Sequence, residues 1–203
     1  GTPAYVPSPY DKGTVDVHFR WMKEYGLDGV ILQRFIAEIA NPSGKRHFNK
    51  VMDSTMECAN TYDRAVAIMY DLSGMPANGP EILLKDIDAL AEAHHLFDHR
   101  ANPSYLYQNG KPLVTVWGVG FNDNRKYGFD EAEKIIDGLK AKGYSVMIGV
   151  PTHWRTLSKD TLPDKRLHAL IRKCDIVMPW FVGRYNERTY ANYKSLIRED
   201  MAW

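Results

Sequence analysis

Cysteine is scarce in this chain: 203 residues contain only Cys58 and Cys174. Neither has a metal-like or redox-like neighbour, so both read as small core hydrophobes on helices. An excess of either charge is also lacking. With 26 basic against 25 acidic residues, the chain has no electrostatic footprint for nucleic acid or an anionic membrane. No apolar run approaches the length of a membrane span. The Pro-rich start, Gly1 to Tyr10, lacks the charged-then-apolar order of a signal peptide, though a leader removed before Gly1 would leave the same start.

Motifs of several reaction classes are missing too. Gly118-Val119-Gly120 has no continuation into a phosphate-cradling loop. His94 and His95 are adjacent on a helix, point to different sides and cannot share one ion well. Ser73 lacks the glycine spacing of a nucleophile elbow. No metal and no cofactor is therefore expected, and serine hydrolysis is excluded.

What is present is aromatic residues, among them 12 Tyr and 5 Trp, which suit either a large core or the C–H face of a pyranose ring. A hydrophobic content of 44% is enough for one well-packed domain and the length too short for two ordinary ones, so residues 1–203 read as a single domain. Apolar runs and helical periodicity alternate along it. Helices are predicted over Thr14–Tyr25, Phe48–Tyr62, Pro80–Phe97, Phe129–Lys142, Pro163–Lys173 and Glu187–Arg198. Strands are predicted over Val30–Leu32, Ala65–Tyr70, Leu113–Trp117, Ser145–Val150 and Ile176–Met178. The turn Asn109-Gly110, followed by Lys111-Pro112, announces the third strand.

Repeated β–α units require a parallel sheet covered by helices. The fold class is α/β, and two architectures fit: an open doubly wound sheet, or a (β/α)8 barrel of the TIM type. The barrel is the favoured reading, as an incomplete one of about five βα units, lacking its first strand and its last two. Such a piece alone would expose strand edges and is expected to self-associate.

In either architecture ligands gather at the carboxyl ends of the strands. There the sequence places Gln33 and Arg34, then Tyr70 and Asp71, then Trp117 and Asn122, then His153, Trp154 and Arg155, and lastly Trp180 and Arg184. Each has a structural alternative. The arginines and Asp71 could form an ion-pair network, the tryptophans could plug the barrel, and His153 could be a hydrogen-bonded structural histidine. Taken jointly, aromatic platforms beside donors and acceptors are what a hydroxyl-rich ligand needs. Asp71 is the best-placed carboxylate, whereas Asp123 and Glu38 lie farther from a strand end. Glycosidic cleavage usually needs two carboxyl groups, and no close partner for Asp71 is visible. Asp71 is assigned at most an assisting catalytic role.

The blocks His18–Gly26, Asp28–Phe35, Ala67–Gly74, Trp117–Phe121, Gly149–Arg155 and Pro179–Arg184 together resemble bacterial proteins related to glycoside hydrolase families 71 and 99, many of them from Bacteroidetes and some labelled xylosidase/arabinosidase. The resemblance spans the chain from about Tyr10 to the final helix. It implies a (β/α)8 barrel, a role in glycan breakdown, an oligosaccharide or polysaccharide substrate, and export to the periplasm or cell surface. Family 99 comprises retaining endo-acting α-mannosidases whose essential glutamates lie late in the barrel. No residue here matches that acidic motif, which places the catalytic pair outside this chain. The alternative is a non-catalytic glycan-binding barrel.

Overall fold

The computed structural model describes Ser8 and residues 10–203; the Pro-rich opening, residues 1–7 and 9, lies outside the described residues. Helices α1 (Lys12–Glu24), α2 (Ile36–Ile39), α3 (Pro42–Tyr62), α4 (Gly79–His94), α5 (Phe129–Ala141), α6 (Arg166–Lys173) and α7 (Tyr190–Met201) alternate with strands β1 (Gly29–Phe35), β2 (Ala65–Asp71), β3 (Tyr107–Gln108), β4 (Lys111–Trp117), β5 (Ser145–Val150) and β6 (Ile176–Pro179).

The strands with a crossover helix pair in the order β1-β2-β4-β5-β6, and every one of these pairings is parallel. A doubly wound sheet reverses its strand order and puts helices on both faces. Here the order never reverses, so right-handed crossovers bring every helix to one face. That is the arrangement of a (β/α) barrel wall.

The two faces show this in their side chains, because neighbours along a strand point opposite ways. Val66, Ile68 and Tyr70 of β2, Val114 and Val116 of β4, and Val146, Ile148 and Val150 of β5 form one large core with Leu83 and Ile87 of α4, Ile135 and Leu139 of α5, and Leu167 and Leu170 of α6. The alternate residues, Ala67, Leu113 and Met147, form a small separate cluster with Ile31, Ile176 and Met178 on the inner face. Strands β4 and β5 are almost wholly buried, whereas β1 and β6 at the two edges are half-buried.

Several boundaries differ from expectation for local reasons. Helix α3 starts at Pro42 rather than Phe48, because proline is well suited to a first helical turn and the polar Ser43–His47 stretch continues it. The short helix α2 has no periodicity long enough to read. The Asn109-Gly110 turn closes an antiparallel hairpin between β3 and β4, with both residues at positive φ (53° and 73°) as a tight hairpin of this kind requires. Cys58 is buried in α3 and Cys174 follows α6, and neither forms a disulfide. No group of three or more potential metal ligands occurs among the described residues, and no described helix is long and apolar enough to cross a membrane.

His94, in the last turn of α4, makes the fold pH-sensitive. Its ring is mostly buried, and its Nε2 lies 3.2 Å from Asp53 Oδ1 in a geometry too poor for a hydrogen bond. Burial pushes the imidazole below its ordinary 6.5, outweighing the pull of Asp53. The unfolded chain then binds the proton more readily than the folded one. Stability contributed by neutral His94 is present above pH 6.5 and is lost as pH falls through the lowered folded value. The urea midpoint is expected to drop between pH 7 and 5, and His94→Gln to flatten that part of the profile.

Candidate functional site

The inner-face residues at the carboxyl end of the sheet meet across neighbouring strands. Parallel register sets Phe35, Asp71, Trp117, Gly149 and Met178 side by side. Asp71 is 2% exposed. One of its oxygens accepts from Gln33 Nε2 at 2.5 Å and the other from the Ser73 backbone N–H at 2.8 Å. Beside it, Trp117 packs against Trp180 edge to face at 5.3 Å and against Phe121 at 5.0 Å. Trp117 fits because position 149 is glycine. A Cβ there would lie 2.5 Å from the indole Cδ1, so the strand leaves space that the ring fills. The indole N–H of Trp117 and the Thr115 hydroxyl, two residues earlier on the same face, are buried without a hydrogen-bond partner among the described residues. Buried polar groups normally have one.

Arg125, from the β4–α5 loop, secures this cluster. Its guanidinium lies over Phe121 and Trp117, 4.5 and 5.3 Å from the ring centroids. It donates to Asp123 at 2.8 Å, to the Tyr127 hydroxyl at 2.6 Å and to Ser73 Oγ at 3.3 Å. Burial pushes the Tyr127 hydroxyl up to about 12 against the opposing pull of Arg125, so it stays protonated and donates to the Gly118 carbonyl at 2.7 Å. Gly118 has φ +108°, and a Cβ on it would sit 2.7 Å from Arg125 Nη1. Only glycine meets both conditions.

The β5–α6 loop carries a second polar group. His153 Nδ1 is 2.9 Å from Asp160 Oδ1, and the Asp160 carboxylate also accepts the backbone N–H groups of Thr152 at 3.0 Å and His153 at 3.2 Å. Burial raises the Asp160 carboxyl, but these hydrogen bonds outweigh it and hold the group below its ordinary range. The loop is tied to the sheet end, where Thr152 Oγ1 donates to the Trp180 carbonyl at 2.5 Å. It is tied to the β4–α5 loop as well, where Asn122 N donates to the Asp160 carbonyl at 2.9 Å and Phe121 bridges to Thr161.

The expected rim residues therefore divide. Gln33, Asp71, Trp117 and Trp180 come together on the inner face. Arg34 and Tyr70 do not reach it. Strand alternation turns them to the helix side, where Arg34 is wholly buried against Asp86 and Tyr70 donates to the same carboxylate. Trp154 is likewise no platform: it is 3% exposed, packed edge to face on Trp203 at 4.9 Å, with its N–H on Asp200. Arg155 is held by Glu199 and Asp200 of α7. Asn122 is exposed and serves the clip between loops, and the exposed Arg184 lies 3.9 Å from Asp160. Asp123 is taken up by Arg125.

Arg125, Asp160 and Gly149 escaped the sequence reading. An isolated glycine within the apolar run Ser145–Val150 was a readable signal for Gly149, since glycine inside a strand often marks a close approach. Arg125 and Asp160 sit in irregular loops, where no periodicity predicts a contact.

No family model matches the sequence, and no curated protein matches it. A search of solved structures finds similarity to the family GH99 endo-alpha-mannosidase from Bacteroides thetaiotaomicron, in complex with bis-tris-propane. That likeness has 11% sequence identity and a TM-score of 0.45, and covers 85% of this chain and 71% of that one.

Proposed function

We propose that the chain forms the glycan-binding wall of a glycoside hydrolase built on a (β/α) barrel, exported from the cell, with the sugar at the inner-face end of the strands. One observation carries this reading. A half-buried tryptophan pair lies next to a carboxylate fixed by two donors, on the face and at the strand end where barrel enzymes bind their substrates. Trp180 offers a ring edge and face to a pyranose. Trp117 backs that ring edge to face. Asp71, aligned by Gln33 and Ser73, orients a hydroxyl or assists proton transfer.

A second reading, glycan binding without hydrolysis, is favoured by the hydrogen bonds around Asp71. Among the described residues no second carboxylate joins the Gln33–Asp71–Ser73 set, whereas cleavage usually uses two.

Titrating the protein with a panel of neutral oligosaccharides, alongside a reducing-end assay, separates the two. Trp180→Ala is expected to weaken binding roughly 10- to 30-fold, the scale of a buried aromatic anchor. Asp71→Asn is expected to slow release of reducing ends by about 100-fold. Binding without release selects the second reading. Absence of binding to any member of the panel removes both.

A further inference from the structure

A cleft of about 500 Å³ lies between the β5–α6 loop and α7, and none of Gln33, Asp71, Trp117 and Trp180 lines it. His153, Thr156, Ser158 and Lys159 face it from the loop, and Asn192 and Tyr193 from the helix. Its polar groups are set in place before any ligand arrives. With Nδ1 bound to Asp160, the His153 ring presents Nε2, which has no protein partner among the described residues. The hydroxyls of Thr156 and Ser158 are 2.9 Å apart. Leu157 and Lys159 both hold left-handed backbone conformations, with φ 51° and 55°, in a loop pinned at Asp160 and Thr161 to the neighbouring β4–α5 loop.

The charged residues that line the cleft are Arg155, Lys159 and Glu199; Arg155 bonds Glu199 and also Asp200, so it offers a ligand no free positive charge. Lys159 has no carboxylate partner among the described residues. The floor includes Tyr193, whose ring is braced by Phe181 at 6.2 Å and Tyr185 at 6.0 Å. A cation, an oriented imidazole, a cluster of hydroxyl and amide groups and an aromatic ring match an anionic ligand that also carries hydroxyls and a C–H face.

We infer that this cleft is a subsite for an acidic sugar unit, a uronate within the glycan. Lys159 takes the carboxylate, Thr156, Ser158 and Asn192 the hydroxyls, with His153 Nε2 as acceptor for one of them, and Tyr193 the ring. The inference rests on the glycan reading for the word sugar and adds the charge of the unit bound.

The test is titration of the protein with methyl glucuronide and methyl glucoside, followed by amide chemical shifts. Because Lys159 is solvent-exposed, the glucuronide is expected to bind only about fivefold more tightly, at low salt. The preference is expected to vanish in about 0.5 M salt, where the screening length falls to a few ångströms. Lys159→Gln should abolish it, Lys159→Arg should keep it, and thermal melts confirm that both variants fold. Equal affinity for the two sugars, or a preference that survives Lys159→Gln, overturns the inference. Acetate competing as strongly as glucuronide overturns its sugar part. If neutral oligosaccharides still bind at the sheet end, only the acidic subsite falls; if no sugar of either kind binds, the glycan reading falls with it.

Discussion

Asp86→Ala is expected to lower the stability of the fold by about 3–5 kcal/mol, the cost of leaving a buried charge without its partner. Asp86 is 1% exposed and Arg34 is fully buried. The two are joined by a fork of bonds, Nε to Oδ2 and Nη2 to Oδ1, both 2.7 Å. Tyr70 donates to Oδ2 at 2.7 Å, and Arg34 Nη2 also reaches Asn49 Oδ1 at 2.6 Å. Burial and the adjacent Asp86 charge hold the Tyr70 hydroxyl well above its ordinary range, so it remains a donor. Removing Asp86 would leave the guanidinium desolvated, and Arg34 Nη1 already lacks a hydrogen-bond partner among the described residues. Lys45, 3.7 Å away and partly exposed, cannot stand in, being a cation itself. Urea unfolding measures the loss. The double variant Arg34→Met with Asp86→Leu is expected to recover most of it, because well-packed apolar residues often replace a buried ion pair without net cost. A loss below about 1 kcal/mol for Asp86→Ala would mean that water reaches the pair. Because the pair lies behind the sheet, oligosaccharide binding should be unchanged in the folded fraction.

That pair also shows where the sequence could be read and where it could not. The alternation of apolar runs with helical periodicity identified the five parallel strands, and their sequential pairing is the barrel order expected from repeated β–α units. Choosing rim residues by nearness to a strand end failed at Arg34 and Tyr70, because it ignored the two-residue period of a strand. Gln33 and Asp71 point inward, so Arg34 and Tyr70 must point to the helices. Applying the period to the neighbouring valines and isoleucines would have separated them. Trp154 failed for another reason. It lies in a turn beyond β5, where side-chain direction depends on α6 and the chain after α7, contacts distant in sequence. Arg34 and Asp86, like Trp117 and Trp180, are separated by stretches of chain that no local pattern spans.

Gly149→Ala is expected to destabilise the protein by about 1–3 kcal/mol, the range for forcing one extra carbon into a filled space, and to weaken oligosaccharide binding by about 10-fold, an anchor ring being displaced. The new Cβ would meet Trp117 Cδ1 at 2.5 Å and the Trp117 Cα at 2.9 Å. The indole can rotate away from the first contact, but the second is with the backbone of a paired strand and does not yield as easily. Rotation would also disturb the edge-to-face contact with Trp180 and the Arg125 guanidinium over the ring. Loss of the near-ultraviolet circular dichroism of the tryptophans would report that movement directly. The variant Trp117→Ala, alone and with Gly149→Ala, separates the effects. If the clash with the indole dominates, the second substitution costs less in the Trp117→Ala background than in the natural chain, and the coupling is measurable as a double-mutant cycle. If the two costs simply add, the strain is in the strand backbone, and binding should then depend on Trp117 whether position 149 is glycine or alanine.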